Sequence, residues 1–211
     1  MKMRRSVLAG YTVGELEEII EKFGSPGVAN GFLRGEIVVA GPNGKWYEKD
    51  GIVHLTVISK GMTREEWIDF LKKDKLSLSY GAACILRSKD FEPTLGVFEI
   101  AIIKNKYCAF SDDWTLDAVS ACAVKHQFSV ADFEIACLIR QILTNCEIEA
   151  MGLHTIIAMH ELAIGADGIP GRLCVDADGD CSWLCSTEDT PGRRYGKGYG
   201  FAFVKSKILI K

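Results

Sequence analysis

The apolar positions of this chain repeat with two periods. Leu16, Ile19, Ile20 and Phe23 are spaced three or four apart, which puts them on one helical face. Thr12-Val13-Gly14-Glu15 precedes them and Gly24 and Pro26 follow, so the spacing predicts a helix over residues 12–23. The opening is a capping box, in which the Thr hydroxyl accepts from the third backbone N–H and the Glu carboxylate accepts from the Thr N–H. The same box recurs at Thr63-Arg64-Glu65-Glu66, with Trp67, Phe70 and Leu71 inward, and at Thr144-Asn145-Cys146-Glu147, before a short helix that stops at Gly152. Residues 113–126 and 130–143 have the helical period without the box. In the second of these Ile135, Leu138, Ile139 and Ile142 form an apolar stripe. A further short helix is predicted over residues 80–87.

Elsewhere the pattern alternates or becomes β-branched. Residues 32–40 and 52–59 read as strands joined through Gly41-Pro42-Asn43-Gly44, a hairpin or small meander, and residues 95–104 read as another strand. Beyond Gly152, residues 154–162, 171–176, 181–186 and 198–205 are strand-like and separated by Gly, Asp and Pro clusters, which predicts an antiparallel meander. A tight turn centred on Asp178-Gly179 would set Asp176 opposite Cys181 and Cys174 opposite Trp183. The expected class is therefore α+β: central helices packed on antiparallel sheet, with a C-terminal β-meander. A boundary near Gly61-Met62 would separate a helix-plus-hairpin region, residues 1–61, from a main α+β domain, residues 62–211. The two regions also fit a single domain.

With 211 residues, 48% hydrophobic and 25% charged, the chain can bury a core that needs no covalent staples. A net charge of -3 lacks the basic excess of a nucleic-acid binder. No apolar run reaches the roughly 18 residues of a membrane helix, and Val7-Leu8-Ala9 is too brief for a signal peptide's apolar region, so a cytoplasmic location is expected. In that setting the eight cysteines read as reduced thiols, several of them serving as small hydrophobes.

Four segments carry candidate chemistry. In Val53-His54-Leu55-Thr56-Val57 the imidazole and hydroxyl share a strand face. The segment resembles the first half of the signature of the two-histidine phosphoesterase family. That resemblance implies His54 as acid or base and Thr56 as a contact to a phosphate oxygen. The second half, another His-x-Thr or His-x-Ser, has no counterpart in His126-Gln127-Phe128, His154-Thr155-Ile156 or His160-Glu161-Leu162. A hydrolase built this way would need His160, with Glu161 beside it, brought close by the fold. On an extended strand His154 and His160 stand roughly 20 Å apart, so they do not share an ion.

Asp176-Ala177-Asp178-Gly179-Asp180 resembles the start of an EF-hand loop, but Cys181 and Thr187 occupy the positions of its Gly and bidentate Glu; a hairpin turn explains the same letters. Cys174, Cys181 and Cys185 would share a sheet face with Trp183. Cys181 and Cys185 are roughly 13 Å apart along a strand, too far for one zinc ion, so no metal is assigned.

The stretch from Gly192 to Val204 is dense in glycine, arginine and aromatics. Lys197 to Phe201 resembles the RNP1 strand of RNA-recognition motifs, which implies base stacking on Tyr199, Phe201 and Phe203. Only residues 205–211 follow, where that fold requires a helix and a fourth strand. Arg193, Arg194 and Lys197, with Tyr199, instead form a positive loop suited to phosphate or another anion. The functional expectation is a binding module for a small anionic ligand, or for a protein partner, through that loop. The alternatives are a hydrolase or phosphoesterase using His54, Thr56, His160 and Glu161, an RNA-binding protein, and a structural or oligomerisation protein. Neither a cofactor nor an oligomeric state is assigned.

Overall fold

The computed structural model describes residues 38–40, 44–74, 76–104, 115–164, 168–177, 182–190 and 192–209. The helix expected over residues 12–23 lies outside them. In chain order the elements are β1 (Val38–Ala40), β2 (Trp46–Lys49), β3 (Ile52–Lys60), α1 (Arg64–Lys73), β4 (Ser77–Leu78), α2 (Tyr80–Leu86), β5 (Leu95–Lys104), α3 (Leu116–Lys125), α4 (Glu134–Ile142), α5 (Asn145–Ala150), β6 (Thr155–Ala158), β7 (Ala163–Ile164), β8 (Pro170–Asp176), β9 (Trp183–Glu188) and β10 (Tyr199–Leu209).

The strands form one mixed sheet in the order β1-β2-β3-β5-β10-β6-β8-β9-β4, with β7 beside β8. Most neighbours are antiparallel; β10 runs parallel to β6, and β4 parallel to β9. The last strand therefore does not continue a meander beyond β9. It inserts between β5 and β6, so the antiparallel run after Gly152 is confined to β6, β8 and β9, with β7 on β8. β3 pairs with β5 along its whole length, from Ile52 opposite Ile103 to Lys60 opposite Leu95. The described residues before Met62 thus share the sheet of the residues after it.

Helix starts follow the caps. Thr63 and Thr144 both close complete capping boxes, with Glu66 and Glu147 as the reciprocal acceptors, and Ser79 and Thr115 cap α2 and α3 with their hydroxyls. α4 begins four residues later than the periodicity predicts, because Ser129 is taken up by the sheet. Its N–H donates to the Val204 carbonyl at 2.8 Å and its carbonyl accepts from Val204 N–H at 3.0 Å. A segment held in a β-bridge cannot enter a helix, so α4 starts past it.

β2 was not foreseen. The chain reverses between β2 and β3 at Asp50 (φ 51°) and Gly51 (φ 76°), two successive left-handed residues. That is the backbone of the two-residue type I′ hairpin, and Asp-Gly is its characteristic sequence. The segment 41–44 consequently joins β1 to β2, not β1 to β3; residues 41–43 lie outside the described ones.

Both faces of the sheet are covered at its centre, and Ile100, Ala101, Ile102 and Ile103 of β5 are fully buried. One face packs Val53, Leu55, Val57, Ile100, Ile102, Ala202 and Leu173 against Trp67, Leu71, Ile85, Leu86 and the apolar side of α4. The opposite face packs Ile103, Ile157, Cys174, Phe201 and Phe203 against Val119 and Ala123 of α3 and against Tyr195. α4 is buried from Glu134 to Arg140, so its two charged ends lie inside the first layer. Glu134 accepts from Trp67 Nε1 at 2.9 Å and from Thr94 N–H at 3.2 Å, and burial, opposed by these bonds, raises its pKa. No described helix is long and apolar enough to cross a membrane.

Candidate functional site

His54 sits on the α3 side of the sheet, near the edge of the covered region. Its ring stacks on Tyr47 of the neighbouring strand at 4.9 Å and 20°. It is 8% exposed, and its Nδ1 has no hydrogen-bond partner. Burial, reinforced by the Lys205 and Lys49 cations against Glu99 and Asp50, lowers its pKa to about 4. Thr56 lies two residues along the same face, exposed and opposite Glu99, as strand alternation requires. Glu99 in turn accepts from Lys205 Nζ at 2.5 Å and Ser206 Oγ at 3.2 Å. Lys205 reaches it from a β-bulge between Val204 and Ser206.

His160 does not join this group. It follows β6 on the α4 side of the sheet, its ring against Phe133 at 4.3 Å. Nε2 accepts the Leu173 N–H at 2.8 Å, so Nδ1 carries the proton and donates to the Glu161 carbonyl at 2.5 Å. Both nitrogens are occupied and the residue is 1% exposed, which leaves none for a metal or for proton transfer. Its role is to clip the end of β6 to β8. The pairing of His54 with His160 is thereby corrected, since the sheet stands between them. Glu161 is exposed and lines a cleft of about 400 Å³ with Asp90, Glu92, Asp132 and Lys207. Among the described residues no group of His, Cys, Asp and Glu is arranged to hold a metal ion.

The arginine loop is pinned down. Arg193 Nη1 donates to Thr187 Oγ1 at 2.9 Å and to the Glu188 carbonyl at 3.2 Å, and its guanidinium lies 5.1 Å from the Tyr195 ring centre. It borders a recess of about 50 Å³ together with Asp117 and Asp189, whose charges disfavour an anion. Arg194 and Lys197 are exposed. Tyr199 is partly buried, edge-on to His154 at 4.8 Å. Phe201 and Phe203 are 0% and 4% exposed beneath α3, so bases cannot stack on them and the RNP1 likeness ends at the letters.

A denser cationic site lies at the other end of α4. Lys45, Lys73, Asp74, Leu76, Arg140, Leu143, Thr144 and Ser182 are among the residues around an open cleft of about 460 Å³. Lys73 comes from the last turn of α1 and is exposed. Lys45 Nζ donates to the Ile142 carbonyl at 2.8 Å and stands 3.0 Å from a Glu147 oxygen. Arg140, only 3% exposed, donates from Nη1 to Asn145 Oδ1 at 3.0 Å and from Nη2 to the Leu143 carbonyl. Its Nε has no partner. Glu147 behind the wall offsets Lys45 and Asp74 stands on the rim, so three cations against two carboxylates leave the cleft with a single positive excess; burial lowers the pKa of Arg140 and Glu147 opposes that shift. Sequence reading missed this site because Lys45, Lys73 and Arg140 are far apart in the chain. The available signal was an Arg next to the apolar stripe of Leu138, Ile139 and Ile142.

No protein-family model matches the chain. Neither a curated protein nor a solved structure matches it.

Proposed function

We propose that the protein binds a small anionic ligand, and that the ligand occupies the cleft lined by Lys45, Lys73 and Arg140. The observation that carries the reading is Arg140: a buried guanidinium at a cleft wall whose Nε donor is left over after Asn145 and Leu143 have been served. A buried donor without an acceptor costs about 1–3 kcal/mol, and a ligand oxygen would remove that cost once a shift of the Arg140 side chain brings Nε to the cleft surface. Arg193 has spent its reach on Thr187, Glu188 and Tyr195, so the cleft supports anion binding better than the loop does. The hydrolase alternative has His54 beside Thr56, but His160, its expected partner, is on the other face of the sheet with both ring nitrogens engaged.

Thermal shift with inorganic phosphate, pyrophosphate and ATP as probes tests this, because a ligand that binds only the native state raises its stability. At least one probe is expected to raise Tm. Lys73→Glu should weaken that probe about tenfold or more, since a charge-assisted contact contributes about 1.5–3 kcal/mol. Lys73 is exposed at a helix end, so the substitution leaves the fold intact. Arg193→Ala with Arg194→Ala should leave the affinity unchanged. No shift with any probe, an unaltered Lys73→Glu variant, or loss of binding in the double arginine variant would each overturn the cleft assignment.

A further inference from the structure

β8 and β9 carry a pair of thiols that the expected turn would have kept apart. The observed register is two residues wider: Asp176 stands opposite Trp183, and Cys174 directly opposite Cys185. The Sγ atoms are 3.2 Å apart. Directly opposed residues of an antiparallel pair have Cα atoms about 4.5–5.5 Å apart, inside the window of about 4.4–6.8 Å that a disulfide spans. A bond between these sulfurs therefore needs no movement of either strand. Cys174 is buried, whereas Cys185 is partly exposed on the strand next to the short edge strand β4.

We propose that Cys174 and Cys185 are a reversible dithiol–disulfide couple that exchanges with low-molecular-weight disulfides. The Cys185 thiolate attacks one sulfur of the reagent; its S–S bond breaks, the first reagent thiolate leaves, and a mixed disulfide remains on Cys185. The Cys174 thiolate then attacks the Cys185 sulfur and expels the second reagent thiolate. Two protein thiols are oxidised, one reagent disulfide is reduced, and the two protons end on the released thiols. The division of labour follows exposure: the reagent can reach Cys185, while Cys174 is shielded by the packing of Phe201, Tyr195 and α3. The contact with the Cys185 sulfur and burial both push the Cys174 thiol up, so in the reduced state it keeps its proton. This couple is independent of the anion cleft.

The test is equilibration of the full chain with oxidised and reduced glutathione, acid quenching, and alkylation after unfolding. Of the eight cysteines, six should remain alkylatable under oxidising conditions, and all eight after dithiothreitol. Cleavage between Trp183 and Leu184, with the disulfides intact, should leave the Cys174 and Cys185 fragments joined. In Cys174→Ser the glutathione adduct on Cys185 should persist, because the resolving thiol is gone. Cys181→Ser and Cys122→Ser should leave the exchange unchanged. Eight alkylatable thiols at every ratio would overturn the proposal, as would a bridge mapped from Cys185 to Cys122 or Cys181. The wild-type mapping reads this even if a variant folds poorly.

Discussion

Lys104→Met is expected to cost the fold about 3–5 kcal/mol, because it leaves the Glu48 carboxylate buried without its counter-charge. The two residues sit on the α4 side of the sheet, Lys104 at the end of β5 and Glu48 on β2, with Val53 of β3 between them. Their N–O separation is 2.6 Å and their side chains are 7% and 13% exposed. Lys104 Nζ also donates to the Met151 carbonyl at 3.0 Å, which fastens the end of α5 to the sheet. An exposed pair would yield at most about 1 kcal/mol. Burial makes the difference, since desolvating one unpaired ion costs more than the pair gains. Adding Glu48→Leu to Lys104→Met should therefore restore most of the loss. Urea unfolding of the wild type, both single variants and the double variant gives the coupling directly. A single-variant loss below about 1 kcal/mol would mean that water reaches Glu48 and that the site is not as closed as its exposure indicates.

What the chain's letters reveal about this fold depends on whether the determining contact is local. The boxes at Thr63 and Thr144 satisfy backbone donors within four residues, and both helices start where the letters place them. The strand Leu95–Lys104 is legible to the residue because its apolar letters, interrupted at Glu99, end in Ile100-Ala101-Ile102-Ile103, which is buried on both faces. Non-local decisions were illegible. Ser129 looks like a helix cap and is instead a bridge partner of Val204, 75 residues away in the chain. Asp178-Gly179 looks like a two-residue turn, yet the strands on either side pair in the register of a longer connection, and that shift of two puts Cys185 in front of Cys174. A shift of two preserves the face of every side chain, so alternation could not have betrayed it. β10 looks like the end of a meander, but its aromatics Phe201 and Phe203 are covered by α3 and Tyr195, with the strand held beside β5 and β6. The candidate site follows the same rule. His54 and Thr56 share a face by strand geometry alone, whereas the cleft of Lys45, Lys73 and Arg140 exists only once α1, α4 and the approach to β2 have packed together.

Acidification from pH 8 to pH 5 is expected to cost about 4 kcal/mol, half from His54 and half from His160. Each is held neutral in the folded state, with its pKa lowered to about 4 and burial as the first cause. In the unfolded chain a histidine titrates near 6.5, so below that pH the unfolded state binds more protons than the native one and stability falls as pH falls. The contribution is therefore complete above about pH 6.5 and is lost progressively down to about pH 4. At pH 5 the unfolded imidazoles are almost fully protonated and the native ones almost not at all, which gives about 2 kcal/mol each. The structural reasons differ. His160 has no lone pair free for a second proton, because Nε2 accepts from Leu173 N–H, and Arg172 adds a repelling charge. His54 lies stacked on Tyr47 with Lys205 and Lys49 as the adverse cations, so part of its term should shrink in high salt. Glu134 works the other way: burial raises its pKa, so its contribution is present at low pH and lost as pH rises. Comparing variants removes that background. His54→Phe keeps the stack on Tyr47 without a titrating group and should halve the drop between pH 8 and pH 5. His160→Gln should cost stability at pH 8, through the lost contacts to Leu173 and Glu161, but should flatten the remaining slope. Chemical denaturation at four or five pH values decides between this account and one in which the acid sensitivity comes from carboxylates. If His54→Phe and His160→Gln together leave the wild-type slope intact, the two rings are not held neutral by their surroundings.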